Sequence, residues 1–169
     1  MSLSAKLAAV ALAGVFALTA HAQNPPGAAP SAPPLPYGAP ISIDAAKKAA
    51  AAALAEAKKN NWFMAIAVVD PSGALVYYEK MDNTQTGSAQ IAINKAQTAA
   101  MFKRPTKAFQ DALAAGGAGV RVLGLQGVTP VDGGVPIVVN GQIIGGIGVS
   151  GAASDQDAVC AQAGASAVK

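Results

Sequence analysis

The sequence lacks most of the residue types from which disulfides, metal sites and acid–base centres are built. Its one cysteine, Cys160, excludes an intrachain disulfide. Its one histidine, His21, lies near the N-terminus, so the rest of the chain lacks the commonest heme and metal ligand and the usual general base. Only 12% of the residues are charged, the formal charge is +3, and no basic block is present. Nucleic acid is therefore not an expected partner.

Residues 1–22 have the features of a secretory signal peptide. Lys6 supplies a positive charge, Leu7–Leu18 is a short apolar run, and Ala20-His21-Ala22 fits the small-residue cleavage rule. The apolar run is too short to span a bilayer as a stable helix, although an uncleaved anchor is the alternative. We therefore expect a mature chain that begins at Gln23, a periplasmic or secreted location, and no stable membrane insertion after cleavage.

Residues 23–40 are dominated by proline, alanine and glycine. Seven of the eleven prolines lie here, a composition that favours extended, unpacked chain. The sequence predicts a linker that acts as a spacer, with Tyr37 as the one aromatic side chain that could dock on the domain. The folded domain is then expected over residues 41–169. With 52% hydrophobic residues, the chain can form one domain with a substantial core.

Helical and strand signals alternate along this domain. Ser42 is a plausible N-cap, and Asn60-Asn61 closes the first apolar-periodic segment. Ser154-x-x-Asp157 resembles a capping box at the start of the last helix. The predicted elements are a helix over 43–59, strands over 63–69 and 74–80, helices over 89–102 and 107–114, a short strand or covered loop over 120–125, strands over 135–139 and 142–149, and a helix over 154–168.

The hairpin over Val135–Val149 is the predicted centre of the sheet. Asn140-Gly141 separates two runs rich in β-branched residues, and this dipeptide is the strongest short-range signal for a type I′ turn. Both strands are apolar on nearly every residue, so both of their faces should be covered. The order of elements predicts an α+β fold: an antiparallel sheet built from two hairpins, with helices covering both faces.

Few residues suggest a chemical site. Residues 146–151 match G-x-G-x-x-G, but a tight hairpin precedes them and no second parallel strand follows, so we interpret these glycines as close helix–strand packing. The sequence shows no catalytic constellation. Lys103-Arg104-Pro105-Thr106 is more suggestive, because two cations beside a helix start can bind a carboxylate or phosphate. Lys95 lies upstream on the preceding helix; a solvated helix end is the alternative interpretation.

The chain resembles the GlcG/HbpS family, also called the heme-degrading or DUF336 domain. The resemblance covers residues 41–169 and is carried by an ordered set of short motifs: Ala67-Val-Val-Asp70 with Gly73, Met81-Asp82, Lys95-Ala-x-Thr98-Ala99, Pro105-Thr106, Gly133-Gly-Val-Pro-Ile137, Ile147-Gly-Val-Ser-Gly151 and Gln156-Asp157. The chain departs from it at Asn83, where relatives often have glycine. The resemblance implies a profilin-like sheet, homo-oligomers and, in secreted members, heme whose iron is bound by a threonine. Thr106 is the corresponding residue.

These observations predict a heme site at the 103–106 turn. Lys95, Lys103 and Arg104 would meet the propionates, and Thr106 would contact the iron or an axial water. Met101, together with Phe102, would line the porphyrin edge. Affinity should be modest and sensitive to salt because exposed charges are screened. The rival iron ligands are Met64, Met81, Met101, Tyr37, Tyr77, Tyr78 and Cys160.

The leading hypothesis is an exported heme-binding protein that sequesters or senses heme. The alternatives are a binding or accessory module for a small carboxylate metabolite, which would use the same basic turn, and a heme-degrading enzyme. We also expect a homo-oligomer, because helices rich in alanine and glycine with few charges present smooth apolar surface to water.

Overall fold

The computed structural model describes residues 33–169. The predicted signal peptide and the part of the predicted linker before residue 33 lie outside this range. Within it, no helix combines the length and the apolar character required to cross a bilayer. In chain order the elements are α1 (Ile43–Lys59), β1 (Ala65–Val69), β2 (Leu75–Lys80), α2 (Ser88–Met101), α3 (Lys107–Ala114), a 3-10 helix (Gly117–Gly124), β3 (Gly134–Val139), β4 (Gln142–Ser150) and α4 (Ser154–Ala167).

The strands form one antiparallel sheet in the order β2-β1-β4-β3. β4 lies between β1 and β3, so the two hairpins join through the β1–β4 pair, and β3 is an edge strand. The prediction that the hairpin over Val135–Val149 forms the centre of the sheet with both faces covered is correct for β4 and wrong for β3, where Val138 is 39% exposed. The β3–β4 turn has positive φ at both central residues, 50° at Asn140 and 73° at Gly141, as a type I′ turn requires. The predicted α+β fold, with an antiparallel sheet built from two hairpins, is confirmed.

Helices cover both faces of the sheet. α1 and α4 pack on one face, and the alanines of α2 pack on the other. Glycines in β4 allow α2 to approach closely, because a Cβ at Gly148 would collide with the backbone of Ala92 and Ala96. The interpretation of the G-x-G-x-x-G segment as close helix–strand packing is therefore confirmed.

Two local predictions are wrong. Residues 120–125 are neither a strand nor a covered loop: they lie largely in the 3-10 helix, where Leu123 is 66% exposed. Ser154 does not cap α4. The N-cap is Ala153, whose N–H donates to the side chain of Gln156, while the Asp157 carboxylate is engaged elsewhere.

The end of the predicted linker is part of the fold rather than a spacer. The N–H of Ile143 donates to the carbonyl of Pro36, and the N–H of Gly38 donates back to the carbonyl of Ile143. The N–H of Ile41 donates to the carbonyl of Ile144. β1 pairs only with residues 146–150 of β4, so the earlier residues of β4 lack a partner strand on that side. The end of the predicted linker forms hydrogen bonds with their backbone groups instead. Tyr37 docks on the domain, as its aromatic character suggested.

Candidate functional site

The turn between α2 and α3 separates two surfaces that differ in charge. α2 ends at Met101, and Lys103 adopts a left-handed φ of 57°, which reverses the chain. Pro105 then precedes the first turn of α3. The residues on either side of this turn point to different parts of the surface, and each surface is a candidate site.

The first surface combines cations with aromatic side chains, and we call Tyr37, Met101, Lys103, Arg104 and Phe109 the basic-aromatic surface. Lys103 Nζ lies 4.1 Å from the centroid of the Tyr37 ring, and Arg104 Cζ lies 5.4 Å from that of Phe109. The Tyr37 hydroxyl donates to the carbonyl of Met101 at 2.8 Å. Within residues 33–169, neither cation forms an ion pair. Tyr37 and Met101 are 41% and 50% exposed.

Sequence reasoning placed three of these five residues together: Met101, Lys103 and Arg104. It assigned Tyr37 to the linker, and it left Phe109 out. The available signal for Tyr37 was that it is the only aromatic residue in a proline-rich segment. Its contacts lie 64 residues further along the chain, so no local pattern could reveal them.

Thr106 is buried beneath the turn rather than exposed on it. Its side chain is fully excluded from solvent, and its Oγ1 accepts a hydrogen bond from the N–H of Gly134 at 2.9 Å. The Thr106 N–H donates to the carbonyl of Gly134 at 3.0 Å. These bonds attach the turn to the start of β3. Iron coordination by Thr106 would require its hydroxyl to leave Gly134.

Lys95 does not lie on the basic-aromatic surface. The residue is 1% exposed, and its Nζ lies 2.7 Å from Asp157 Oδ2 and 3.1 Å from the carbonyl oxygen of Val149. Burial raises the pKa of the Asp157 carboxyl, and the hydrogen bond from Lys95 opposes that rise. The expectation that Lys95 meets a propionate is therefore not met in this structure, because its ammonium is committed to an internal ion pair that joins α2 to α4.

The second surface is a cleft of about 560 Å³ between α4 and the starts of α3 and β3. We call it the acidic cleft; its lining residues are Glu56, Pro105, Lys107, Asp132, Val135, Asp155, Ala158, Val159, Gln162, Ala163 and Ser166. Lys107 Nζ lies 2.8 Å from Asp111 Oδ1, so its charge is already paired. Asp132 and Asp155 form no ion pair with any residue of the described range.

Sequence reasoning missed this cleft. Aspartates beside glycine-rich segments ordinarily serve as cap and turn residues, and Asp132 does so in part, because its Oδ1 accepts the N–H of Gly133 at 2.7 Å. The residues that line the cleft come from α1, α3, β3 and α4 and from the loops before α3 and β3, and they meet only because of how α4 packs. No spacing of residues in the sequence therefore predicts the cleft.

The potential iron ligands differ in accessibility. Met64 and Cys160 are fully buried, Tyr78 and Met81 pack against the core, and the Tyr77 hydroxyl donates to Glu79. Only Tyr37 and Met101, among the rival ligands predicted, are exposed beside free cations. No group of three histidine, cysteine or acidic side chains in residues 33–169 converges to hold a metal ion.

Comparison with known proteins agrees with the fold. Residues 41–166 match the family described as "Haem degrading protein HbpS-like". Protein GlcG of Escherichia coli K12 is 41% identical over 110 residues, which cover 65% of this chain and 81% of that protein. A double mutant of HbpS from Streptomyces reticuli has a solved structure with a TM-score of 0.72 and 32% identity, covering 85% of this chain and 99% of that one.

A solved PduOC:heme complex is also similar. Its TM-score is 0.69 and its sequence identity is 25%, over 77% of this chain and 96% of that one. The family match spans most of the chain, and the motifs in the sequence, the sheet order and the solved relatives agree with it. The chain therefore belongs to the HbpS-like family, the GlcG/HbpS group of DUF336 domains.

Proposed function

We propose that this chain is an exported protein that binds heme at the basic-aromatic surface, in order to sequester or sense it. Family membership and the similarity to a PduOC:heme complex support heme as the ligand class. The features of residues 1–22 support export. Exposed apolar side chains such as Leu123 and Val120 support a homo-oligomer.

One observation carries the choice of surface. Lys103 and Arg104 have no carboxylate partner in residues 33–169; Lys103 lies over the exposed Tyr37 ring, and Arg104 lies over the buried Phe109 ring. Heme presents two carboxylates and a flat apolar ring, which cations and aromatic or thioether side chains complement. The acidic cleft has the opposite charge and would repel the propionates.

The residues present fit the porphyrin better than the iron. Residues 33–169 contain no histidine. Tyrosine and methionine are the residue types on this surface that ligate heme iron in other proteins. The Tyr37 hydroxyl already donates to backbone carbonyls, and the sulfur of half-exposed Met101 lies against Gly73. Bound heme would supply a redox-active iron, while the protein would hold its ring and propionates. Thr106 is the alternative iron ligand, provided that its bond to Gly134 opens.

The second candidate function is binding of a small carboxylate metabolite. The same two cations favour it, because a carboxylate needs no iron ligand and no large apolar surface. The two functions differ in a simple spectroscopic observation. Only heme binding produces a saturable change in the Soret band.

The test is a hemin titration of the full chain. We expect the Lys103→Ala/Arg104→Ala variant to bind hemin about tenfold more weakly or worse, because each desolvated charged contact contributes roughly 1.5–3 kcal/mol and exposure lowers that figure. The matched control is Lys47→Ala/Lys48→Ala, which removes two exposed lysines from α1 on the opposite face of the sheet. Higher salt should weaken binding in the wild type and much less in the site variant.

Two further variants test which residue binds the heme iron. Met101→Leu keeps the apolar contact and removes the sulfur, so a shift of the Soret maximum would identify a thioether ligand. Thr106→Val keeps the shape of the side chain and removes the hydroxyl, so a shift of the Soret maximum in this variant would identify Thr106 as the iron ligand. Equal hemin affinity in the Lys103/Arg104 variant and the wild type would contradict the proposed site. Absence of any saturable Soret change in the wild type would favour the small carboxylate.

A further inference from the structure

The acidic cleft contains one largely buried carboxylate, Asp132, that forms no ion pair within residues 33–169. Asp132 is only 8% exposed, yet it lines the cleft. Its Oδ1 accepts the N–H of Gly133, whereas Oδ2 accepts no hydrogen bond from any residue between 33 and 169. No lysine or arginine of that range lies within ion-pair distance. Among the described residues, Thr84 Oγ1 is the only buried side-chain polar atom without a hydrogen-bond partner, so Asp132 Oδ2 is open to the cleft and available to a cationic ligand.

Lys107 interacts electrostatically with Asp132 across the cleft, but it lies beyond ion-pair distance and is paired with another carboxylate. Lys107 donates a hydrogen bond to the Asp111 carboxylate, and this bond, with a smaller effect of the Asp132 charge, raises the Lys107 pKa. Glu56 accepts hydrogen bonds from Asn60 and Lys59. Asp155 is exposed and unpaired among the described side chains. The cleft therefore carries an excess of negative charge around Asp132.

The remaining lining selects the kind of cation. Val135, Val159 and Ala163 give the cleft an apolar wall, and Val159 is 48% exposed on α4. A metal ion needs several converging acidic or imidazole ligands, and no such group of three occurs in residues 33–169. An apolar wall beside one buried carboxylate is suited to an organic ammonium with an alkyl body, as ligand sites commonly combine apolar walls with few polar anchors.

We propose that the acidic cleft is a binding site for an organic cation, with an ammonium group on Asp132 and an apolar chain against α4. The site is distinct from the basic-aromatic surface, because none of Tyr37, Met101, Lys103 and Arg104 lines it. This proposal goes beyond heme binding and does not depend on it. The cleft volume of about 560 Å³ lies in the range of small-molecule sites.

Three probes with the same alkyl chain test the charge preference: hexylammonium, hexanol and hexanoate. Titration of the full chain, followed by calorimetry or by amide chemical shifts, should show saturable binding of hexylammonium. Hexanol should bind about tenfold more weakly or worse, because it lacks the charge-assisted bond, and hexanoate should be weaker still. Hexanoate binding as tight as hexylammonium would overturn the proposal, and so would the absence of saturable hexylammonium binding.

Two variants locate the site. Asp132→Asn removes the charge and retains an oxygen that can accept the Gly133 N–H, and we expect about a tenfold loss of hexylammonium affinity. Val159→Lys introduces a competing cation at the wall without touching the core, and it keeps the test valid if Asp132→Asn does not fold. Its matched control is Val120→Lys, since Val120 is also 48% exposed and does not line the cleft. Wild-type hexylammonium affinity in Val159→Lys would refute the assignment.

Discussion

The buried ion pair between Lys95 and Asp157 provides the sharpest test of how this fold is held together. Their side chains are 1% and 3% exposed, and the charged atoms lie 2.7 Å apart. Lys95→Met retains most of the side-chain volume and removes the ammonium. Asp157 then keeps only backbone donors, the N–H of Ala152 at 3.1 Å and that of Gly151, and the carbonyl of Val149 loses the Lys95 donor.

The expected loss is large because a charge stays buried without its partner. Breaking such a pair typically costs about 3–5 kcal/mol of unfolding free energy. Replacing both partners by apolar residues, as in Lys95→Met/Asp157→Leu, should recover a substantial part of the loss, since no unpaired charge remains. Lys107→Met is the matched control: its pair with Asp111 has side chains 56% and 59% exposed, so its removal should have little effect.

The effect of pH has a definite sign. Burial raises the pKa of Asp157, and Lys95 opposes this rise, so Lys95→Met should raise the folded-state pKa further. A carboxyl whose pKa is higher in the folded state binds more protons when folded. Its unfavourable contribution therefore shrinks as pH falls from neutrality toward the ordinary carboxyl pKa. The destabilisation by Lys95→Met should be largest at neutral pH and smaller in mild acid.

Urea unfolding of the full chain, followed by circular dichroism, measures these differences at each pH. A double-mutant cycle separates the pair from the individual side chains. The reasoning would be refuted if Lys95→Met stayed within about 1 kcal/mol of the wild type at neutral pH, because a broken buried pair costs several times that amount. It would also fail if the double variant were as unstable as the sum of the single ones.

The remaining predictions concern glycine packing and the lone thiol. Gly148→Ala should cost about 1–3 kcal/mol or more in urea unfolding, because its Cβ would meet the backbone of Ala92, whereas Gly87→Ala, with no atom within 4 Å, should be nearly neutral. Cys160 is fully buried, and burial raises its pKa to about 11. We therefore expect negligible reaction with a thiol reagent at pH 8 in the folded protein and rapid reaction in urea; fast native labelling would contradict this packing.

The elements whose signals are local were predictable from the sequence. The Ser42 side chain caps α1, the Asn140-Gly141 turn joins β3 to β4, and α3 spans Lys107–Ala114 as expected. Each of these depends on backbone preferences and on hydrogen bonds between residues a few positions apart. The antiparallel sheet of two hairpins followed from the order of elements and from the resemblance to the family, whereas the edge position of β3 did not, because strand order depends on long-range pairing.

Contacts between residues far apart in the sequence determine which charged and aromatic side chains lie on the surface. The sequence predicted that Lys95 acts together with the cations of the 103–106 turn, but the fold places it against Asp157, 62 residues away. Tyr37 belonged to a proline-rich segment, but its hydroxyl contacts the end of α2. The burial of Asp132 in a cleft depends on how α4 packs beside β3. Local sequence therefore determined which helices and turns form, whereas tertiary packing determined which charges stay free to meet a ligand, because burial and pairing depend on neighbours that sequence spacing does not reveal.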